Sequence, residues 1–298
     1  MKPVARVSVA RLGNAVRVSP PALTLATAFA LRATTTPHAI AVFDGDRRVT
    51  YRTLADHAYR IATALRGRVQ PGGRVGVALE RSEALIATQL AVWSRGAVVV
   101  PIDPAWPAAR RAAVAADAEL ALEIDAPWLA RSHPPIQPIE DLEPREAPAL
   151  ALYASDSSEP KAVYVRHATV LARLSSLAAM MPWRVRDRAL LRTPVTCLDA
   201  YAETYGPLLA GVTSVIAPPR LAIAYLVAAL VRDDITRVLL APSQLALVLD
   251  ACPDLGAFAP HLRIVATTGE PLTDALATRF RAAVPGVRLV SIEADDDR

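Results

Sequence analysis

The sequence predicts an α/β fold of two lobes, each a parallel-rich sheet flanked by helices. Three observations predict it. Apolar runs of strand length alternate with stretches of helical periodicity from residue 39 to residue 292, the pattern of parallel strands covered on both faces. The 298 residues, 53% of them hydrophobic, supply one or two self-supporting cores without a disulfide or metal staple. Six prolines among several acids between 127 and 148 mark a connector between two halves. The expected organisation is a basic tail over 1–22, a first lobe over 23–147 that includes the connector at 127–147, a second lobe over 148–293, and an acidic tail over 294–298.

The elements follow in order. The first 43 residues contain no acid, which reads as a basic tail followed by a short surface helix packing through Leu25, Phe29 and Leu31, against the alternative of a targeting segment. Residues 39–43 and 48–50 form a hairpin around the turn Asp44-Gly45-Asp46. Thr50 caps a helix whose apolar face is Leu54, Ala58, Ile61, Ala62 and Leu65. Strands follow at 75–79, 97–102 and 119–124, separated by helices at 82–95 and up to about residue 116. In the second half, strands at 150–154, 189–193, 213–217, 237–241, 262–267 and 287–292 alternate with helices at 200–210, 221–232, 243–251 and 271–283. Ligands of such sheets sit at the carboxyl ends of the strands, so the loops after 102, 154, 193, 241 and 267 are the candidates for a site.

Composition excludes several classes of function. The formal charge is +4, but the basic residues are spread along the chain with little aromatic interleaving, which argues against a nucleic-acid partner. No apolar run approaches the ~20 residues of a membrane helix. Cys197 and Cys252 form no spaced cluster and the five histidines are scattered, so no metal site is expected. A reducing, cytoplasmic setting fits the cysteine usage. Neither a nucleophile elbow nor a glycine-rich dinucleotide fingerprint is present.

Chemistry concentrates in two places. The loop after the strand at 150–154 reads Ser155-Asp156-Ser157-Ser158-Glu159-Pro160-Lys161. Its hydroxyls and Lys161, the one lysine besides Lys2, suit an anion. Yet no glycine lets backbone amides approach a phosphate, and Asp156 and Glu159 repel one. Asp199 read alone caps the helix that follows it, and Gly269-Glu270 read alone is a strand-to-helix turn with Pro271 at the first helical position.

These segments carry a resemblance. The run Gly96-Ala97 through Pro101-Ile102-Asp103-Pro104, Pro107 and Arg110 resembles the Gly-Ala-x-x-x-Pro-Ile-Asp-Pro-x-x-Pro-x-x-Arg segment of the adenylate-forming enzymes, most closely the amino-acid-activating adenylation domains of nonribosomal peptide synthetases. Val49 to Leu54, Val238 to Ser243 and Ala266 to Leu272 resemble further motifs, so the likeness runs from about 23 to 292. It implies the N-terminal core of such a domain without the C-terminal subdomain. It places Ser155, Ser157, Ser158 and Lys161 on the family's phosphate loop, whose glycines are replaced or deleted here. It gives Asp199 the family's role of holding an α-ammonium, although Tyr201 replaces the motif's serine, and it sets Thr268, Gly269 and Glu270 along the substrate pocket. The family's adenine-stacking aromatic, Mg²⁺-binding glutamate and catalytic lysine have no counterpart, so no catalytic residue is assigned.

The expected function is therefore a truncated adenylation-like protein of peptide natural-product biosynthesis that does not activate amino acids alone and acts as a binding or scaffolding module. No cofactor is expected. Its partners are an amino acid or carboxylic acid ligand and a protein or second copy in a biosynthetic assembly. The alternative is part of an ATP- and Mg²⁺-dependent adenylating ligase that needs a missing C-terminal part.

Overall fold

The structure is a computed structural model that describes residues 5–8, 24–131, 148–153, 160–218 and 222–293. Thirteen strands and eleven helices occur among them. A strand β1 (Ala5–Ser8) precedes α1 (Leu25–Thr35), whose N-terminus Thr24 caps by accepting the Thr27 N–H at 3.1 Å. Leu25 and Phe29 of α1 are buried as expected, but Leu31 is 54% exposed: two residues beyond Phe29 it falls nearly on the opposite face of the helix. Hairpin β2 (Ile40–Asp44) and β3 (Arg47–Thr50) turns at Gly45, whose φ of +58° is a conformation that favours glycine. Thr50 caps α2 (Tyr51–Leu65), and the five apolar residues expected on its inner face are all buried.

Next come β4 (Arg74–Ala78), α3 (Glu83–Ser94), β5 (Val98–Pro101), α4 (Ala108–Asp117) and β6 (Leu122–Asp125). The expected connector begins with structure of its own. In α5 (Ala126–Leu129), Asp125 caps by accepting the Trp128 N–H at 2.8 Å, Pro127 fits the first turn, and Trp128 is buried. Then β7 (Pro148–Tyr153) leads to β8 (Ala162–Arg166) and α6 (His167–Met180), neither of which was expected from sequence. The remainder alternates as read: β9 (Arg188–Leu191), α7 (Leu198–Ala210), β10 (Thr213–Ile216), α8 (Ile223–Arg232), β11 (Arg237–Leu240), α9 (Pro242–Ala251), the short α10 (Leu255–Phe258), β12 (Ile264–Thr267), α11 (Asp274–Ala283) and β13 (Arg288–Glu293). Helix α11 starts at Asp274 with Thr273 as its cap, so Pro271 precedes the helix instead of opening it.

The strands form an eight-stranded sheet in the order β1-β13-β12-β11-β9-β10-β2-β3 and a five-stranded sheet in the order β6-β4-β5-β7-β8. Every pairing is parallel except the β2–β3 and β7–β8 hairpins. The sheets do not divide the chain at 147, the expected lobe boundary. The early hairpin joins the late sheet because Val42 pairs with Ser214, and β7 joins the early sheet because Leu150 pairs with Val99. One hydrophobic core takes residues from both sheets and from α1, α2, α3, α6 and α7, which holds the two sheets in a fixed relation. A second core lies under α8, α9 and α11. Among the described residues no helix is long and apolar enough to cross a membrane.

Candidate functional site

Parallel strands direct their carboxyl ends to one side, and the loops there enclose the site. A cleft of about 540 Å³ is lined by the loops after β4, β5, β9, β10, β11 and β12. Of the loops expected to matter, those after 102, 193, 241 and 267 line it. The walls are mainly apolar, through residues such as Leu79, Pro104, Val195 and Leu240, with Arg81, Asp103, Arg192 and Asp199 among them.

Three of the expected substrate residues meet here. Asp199, Thr268 and Gly269 all line the cleft, and the Thr268 hydroxyl donates to Asp199 Oδ2 at 3.0 Å. Gly269 has φ +85° with nothing within 4 Å of where a Cβ would stand, so backbone conformation, not space, favours glycine. Asp199 is not the helix cap. Cys197 holds that position, and Asp199 lies in the first turn of α7 with its other oxygen, Oδ1, accepting from Arg173 Nη2 of α6 at 2.5 Å.

Glu270 is not among the residues lining the cleft. Its carboxylate accepts the Ser243 N–H at 3.0 Å and the Ser243 hydroxyl at 2.7 Å, because the N-terminus of α9 offers unpaired amides and a positive dipole end. Ser155, Ser157 and Ser158 lie outside the described residues. Lys161 is exposed just before β8 and is not among the residues lining the cleft.

The floor of the cleft is a belt of residues that sequence reasoning missed. Arg81 donates through Nη2 to the carbonyls of Arg192 (2.6 Å) and Thr193 (3.2 Å), and through Nη1 to that of Ala217 (3.1 Å). Glu203 of α7 takes the amides of the same two residues, Arg192 and Thr193, both at 2.7 Å on Oε2. The backbone at the end of β9 is thus held from both sides. Arg192 carries the belt onward to the Leu239 carbonyl at 3.1 Å and to Gln244 Oε1 at 3.0 Å. A signal for Glu203 existed, since it follows Asp199 by four residues and so shares its helix face.

Burial lowers the pKa of both arginines. It pushes Glu203 up from 4.5 to about 7, against the two amide donors and the charges of Arg81 and Arg192. Glu203 Oε1 is shut from water with no hydrogen-bond partner among the described residues. The folded chain therefore keeps a proton on Glu203 that the unfolded chain releases. That contribution to stability is complete below pH 4.5 and lost as pH rises through about 7. Glu203→Gln should remove a loss on the order of 3 kcal/mol between pH 5 and pH 8, read as a smaller fall in urea midpoint than the unmodified chain shows. An equal fall in both proteins sinks this expectation.

Among the described residues, no group of three or more His, Cys, Asp or Glu side chains is placed to hold a metal ion.

The fold is shared with known proteins. The chain is 29% identical over 284 residues to one of the linear gramicidin synthase proteins of Brevibacillus parabrevis, covering 89% of this chain and 6% of that protein. It matches the AMPPNP-bound form of the nonribosomal peptide synthetase FmoA3 with TM-score 0.83 and 26% identity over 95% of this chain and 32% of that one. It shares its fold with the N-terminal subdomain of Klebsiella oxytoca NpsA in complex with 3-hydroxyanthranilyl-AMSN, at TM-score 0.78 and 23% identity, covering 91% of this chain and 71% of that one. The chain thus spans a small part of the long synthetases it matches. The family model described as AMP-binding enzyme matches residues 29–149 and 125–292. With nearly every described strand of both sheets inside that match, the chain belongs to the AMP-binding enzyme family.

Proposed function

We propose that this chain is the acid-binding core of an adenylation domain in nonribosomal peptide assembly, and that it binds a carboxylic acid without carrying out ATP-dependent activation alone. The observation that carries the reading is the meeting of Asp199, Thr268 and Gly269 in one cleft at the strand ends. A largely apolar cavity of this size with a few convergent polar groups suits a small organic acid. The second half of the reading rests on the loop at 155–161. It contains no glycine and two acids, so bare amides do not cradle a triphosphate and Asp156 and Glu159 repel it. In this reading the chain serves as a binding or scaffolding module. The exposure of Val163 (60%) and Tyr164 (49%) on the edge strand β8 supports contact with a protein partner or a second copy.

A second reading is part of an ATP- and Mg²⁺-dependent ligase completed by further polypeptide. The small share of the gramicidin synthase protein and of FmoA3 that the chain matches favours it, as does the AMPPNP-bound form of FmoA3. ATP–pyrophosphate exchange across the proteinogenic amino acids and their hydroxy and desamino counterparts, with calorimetry of Mg–AMPPNP, separates the two. The first reading expects no exchange above background and no saturable nucleotide binding. Clear exchange with any acid, or tight Mg–AMPPNP binding abolished by Lys161→Ala, overturns it in favour of the second.

A further inference from the structure

We infer that the cleft selects carboxylic acids without an α-ammonium group, and that Arg173 is the residue that sets this preference; the inference rests on the cleft being an acid-binding site. The starting point is the state of Asp199. Its Oδ1 accepts from Arg173 Nη2 at 2.5 Å and its Oδ2 from the Thr268 hydroxyl at 3.0 Å. The two ion-pair partners are only 20% and 24% exposed, so water screens the pair less than it would at the surface. A guanidinium at this distance cancels the carboxylate charge. A ligand ammonium brought to Asp199 then meets a fixed cation a few ångströms beyond the anion it seeks, and the net attraction is small.

Hydrogen bonding points the same way. Asp199, which lines the cleft, already has a donor on each oxygen, so a further N–H donor from a ligand finds less to bind there than at a free carboxylate. Arg81 and Arg192 add two further cations to the lining on the side of the eight-stranded sheet's β9. The remaining acids of the lining, Glu80 and Asp103, follow β4 and β5 of the other sheet; Glu80 is exposed, and Asp103 Oδ1 accepts the Ala105 N–H at 2.8 Å. A hydroxyl or carbonyl oxygen, or a plain methylene, is therefore better accommodated beside Asp199 than an ammonium.

The test uses matched sets on the full chain: 3-phenylpropionate, 3-phenyllactate and L-phenylalanine, then 4-methylpentanoate, 2-hydroxy-4-methylpentanoate and L-leucine. Calorimetry and thermal shift at millimolar ligand read the binding. In at least one set the desamino or hydroxy acid should bind about tenfold more tightly than the amino acid. Arg173→Gln frees the carboxylate and should reverse that order. If, in every set that binds, the amino acid binds the unmodified chain as tightly as its desamino and hydroxy counterparts, the inference is overturned and the acid-binding reading stands. Binding by no member of either set overturns both. The unmodified chain alone decides these outcomes, so an unfolded variant does not rescue the proposal.

Discussion

Trp93→Ala should cost about 3–5 kcal/mol of folding stability, a large fraction of the ~5–15 kcal/mol typical of a domain. Trp93 of α3 is fully buried, and its indole N–H donates to the Ala149 carbonyl of β7 at 2.8 Å. Its ring meets Tyr205 at 5.0 Å, His167 at 5.7 Å and Tyr201 at 6.3 Å. One side chain thus ties the five-stranded sheet to α6 and α7. Truncation leaves a cavity among aromatics that cannot collapse and strands a buried carbonyl. His167 adds to this: burial drives its pKa down to about 4, and its Nδ1 accepts the Leu25 N–H at 3.3 Å, so at neutral pH it takes part as an uncharged ring. Urea denaturation followed by far-ultraviolet circular dichroism measures the loss. Trp93→Phe, which keeps one ring but removes the donor and part of the buried volume, should cost about 1–3 kcal/mol. A loss below 1 kcal/mol for Trp93→Ala would contradict the role given to it.

What the sequence made legible was local. Thr50 and the face from Leu54 to Leu65 identify α2 because cap and periodicity lie within one stretch of chain. The run at 97–102 identifies β5 because both its faces are covered. Strand β8 escaped notice because only Val165 of its five residues is buried, so no apolar run or clean alternation marks it. No glycine or proline separates it from α6, which begins at the next residue. The exchange of hairpins between sheets was hidden for another reason: pairing Val42 with Ser214 is a choice among distant strands that no window of sequence contains. The same contrast governs the site. Motif likeness singles out Asp199, Thr268 and Gly269, which the fold brings to one cleft, whereas Arg81, Arg173 and Arg192 are three among many arginines. What distinguishes Arg81 is its reach to carbonyls 111, 112 and 136 residues away. The bond of Glu270 to Ser243 was hidden, since the need of the α9 N-terminus for an acceptor becomes visible only once the two elements are neighbours.

Arg81→Ala should cost about 3 kcal/mol, and the deficit should depend on pH. Its guanidinium satisfies three carbonyls at the ends of β9 and β10 while projecting from the loop after β4, so it joins the two sheets at the floor of the cleft. Removing it leaves those acceptors without this donor and takes away a cation that favours the ionised form of Glu203. The carboxyl pKa in the folded chain then rises beyond about 7, and folding at pH 8 must either keep an uncompensated carboxylate or take up a proton. At pH 5 Glu203 is already protonated in the folded chain, and only the lost hydrogen bonds count. The stability deficit of Arg81→Ala should therefore be larger at pH 8 than at pH 5, and Glu203→Gln should erase the difference between the two conditions. Arg81→Lys preserves the charge but has no planar fork to span several carbonyls, so it should recover the pH-dependent part and little of the rest. Urea midpoints for the three variants at both pH values measure this. Equal deficits at pH 5 and pH 8 would show that Arg81 acts on the cleft through geometry alone, with no electrostatic hold on Glu203.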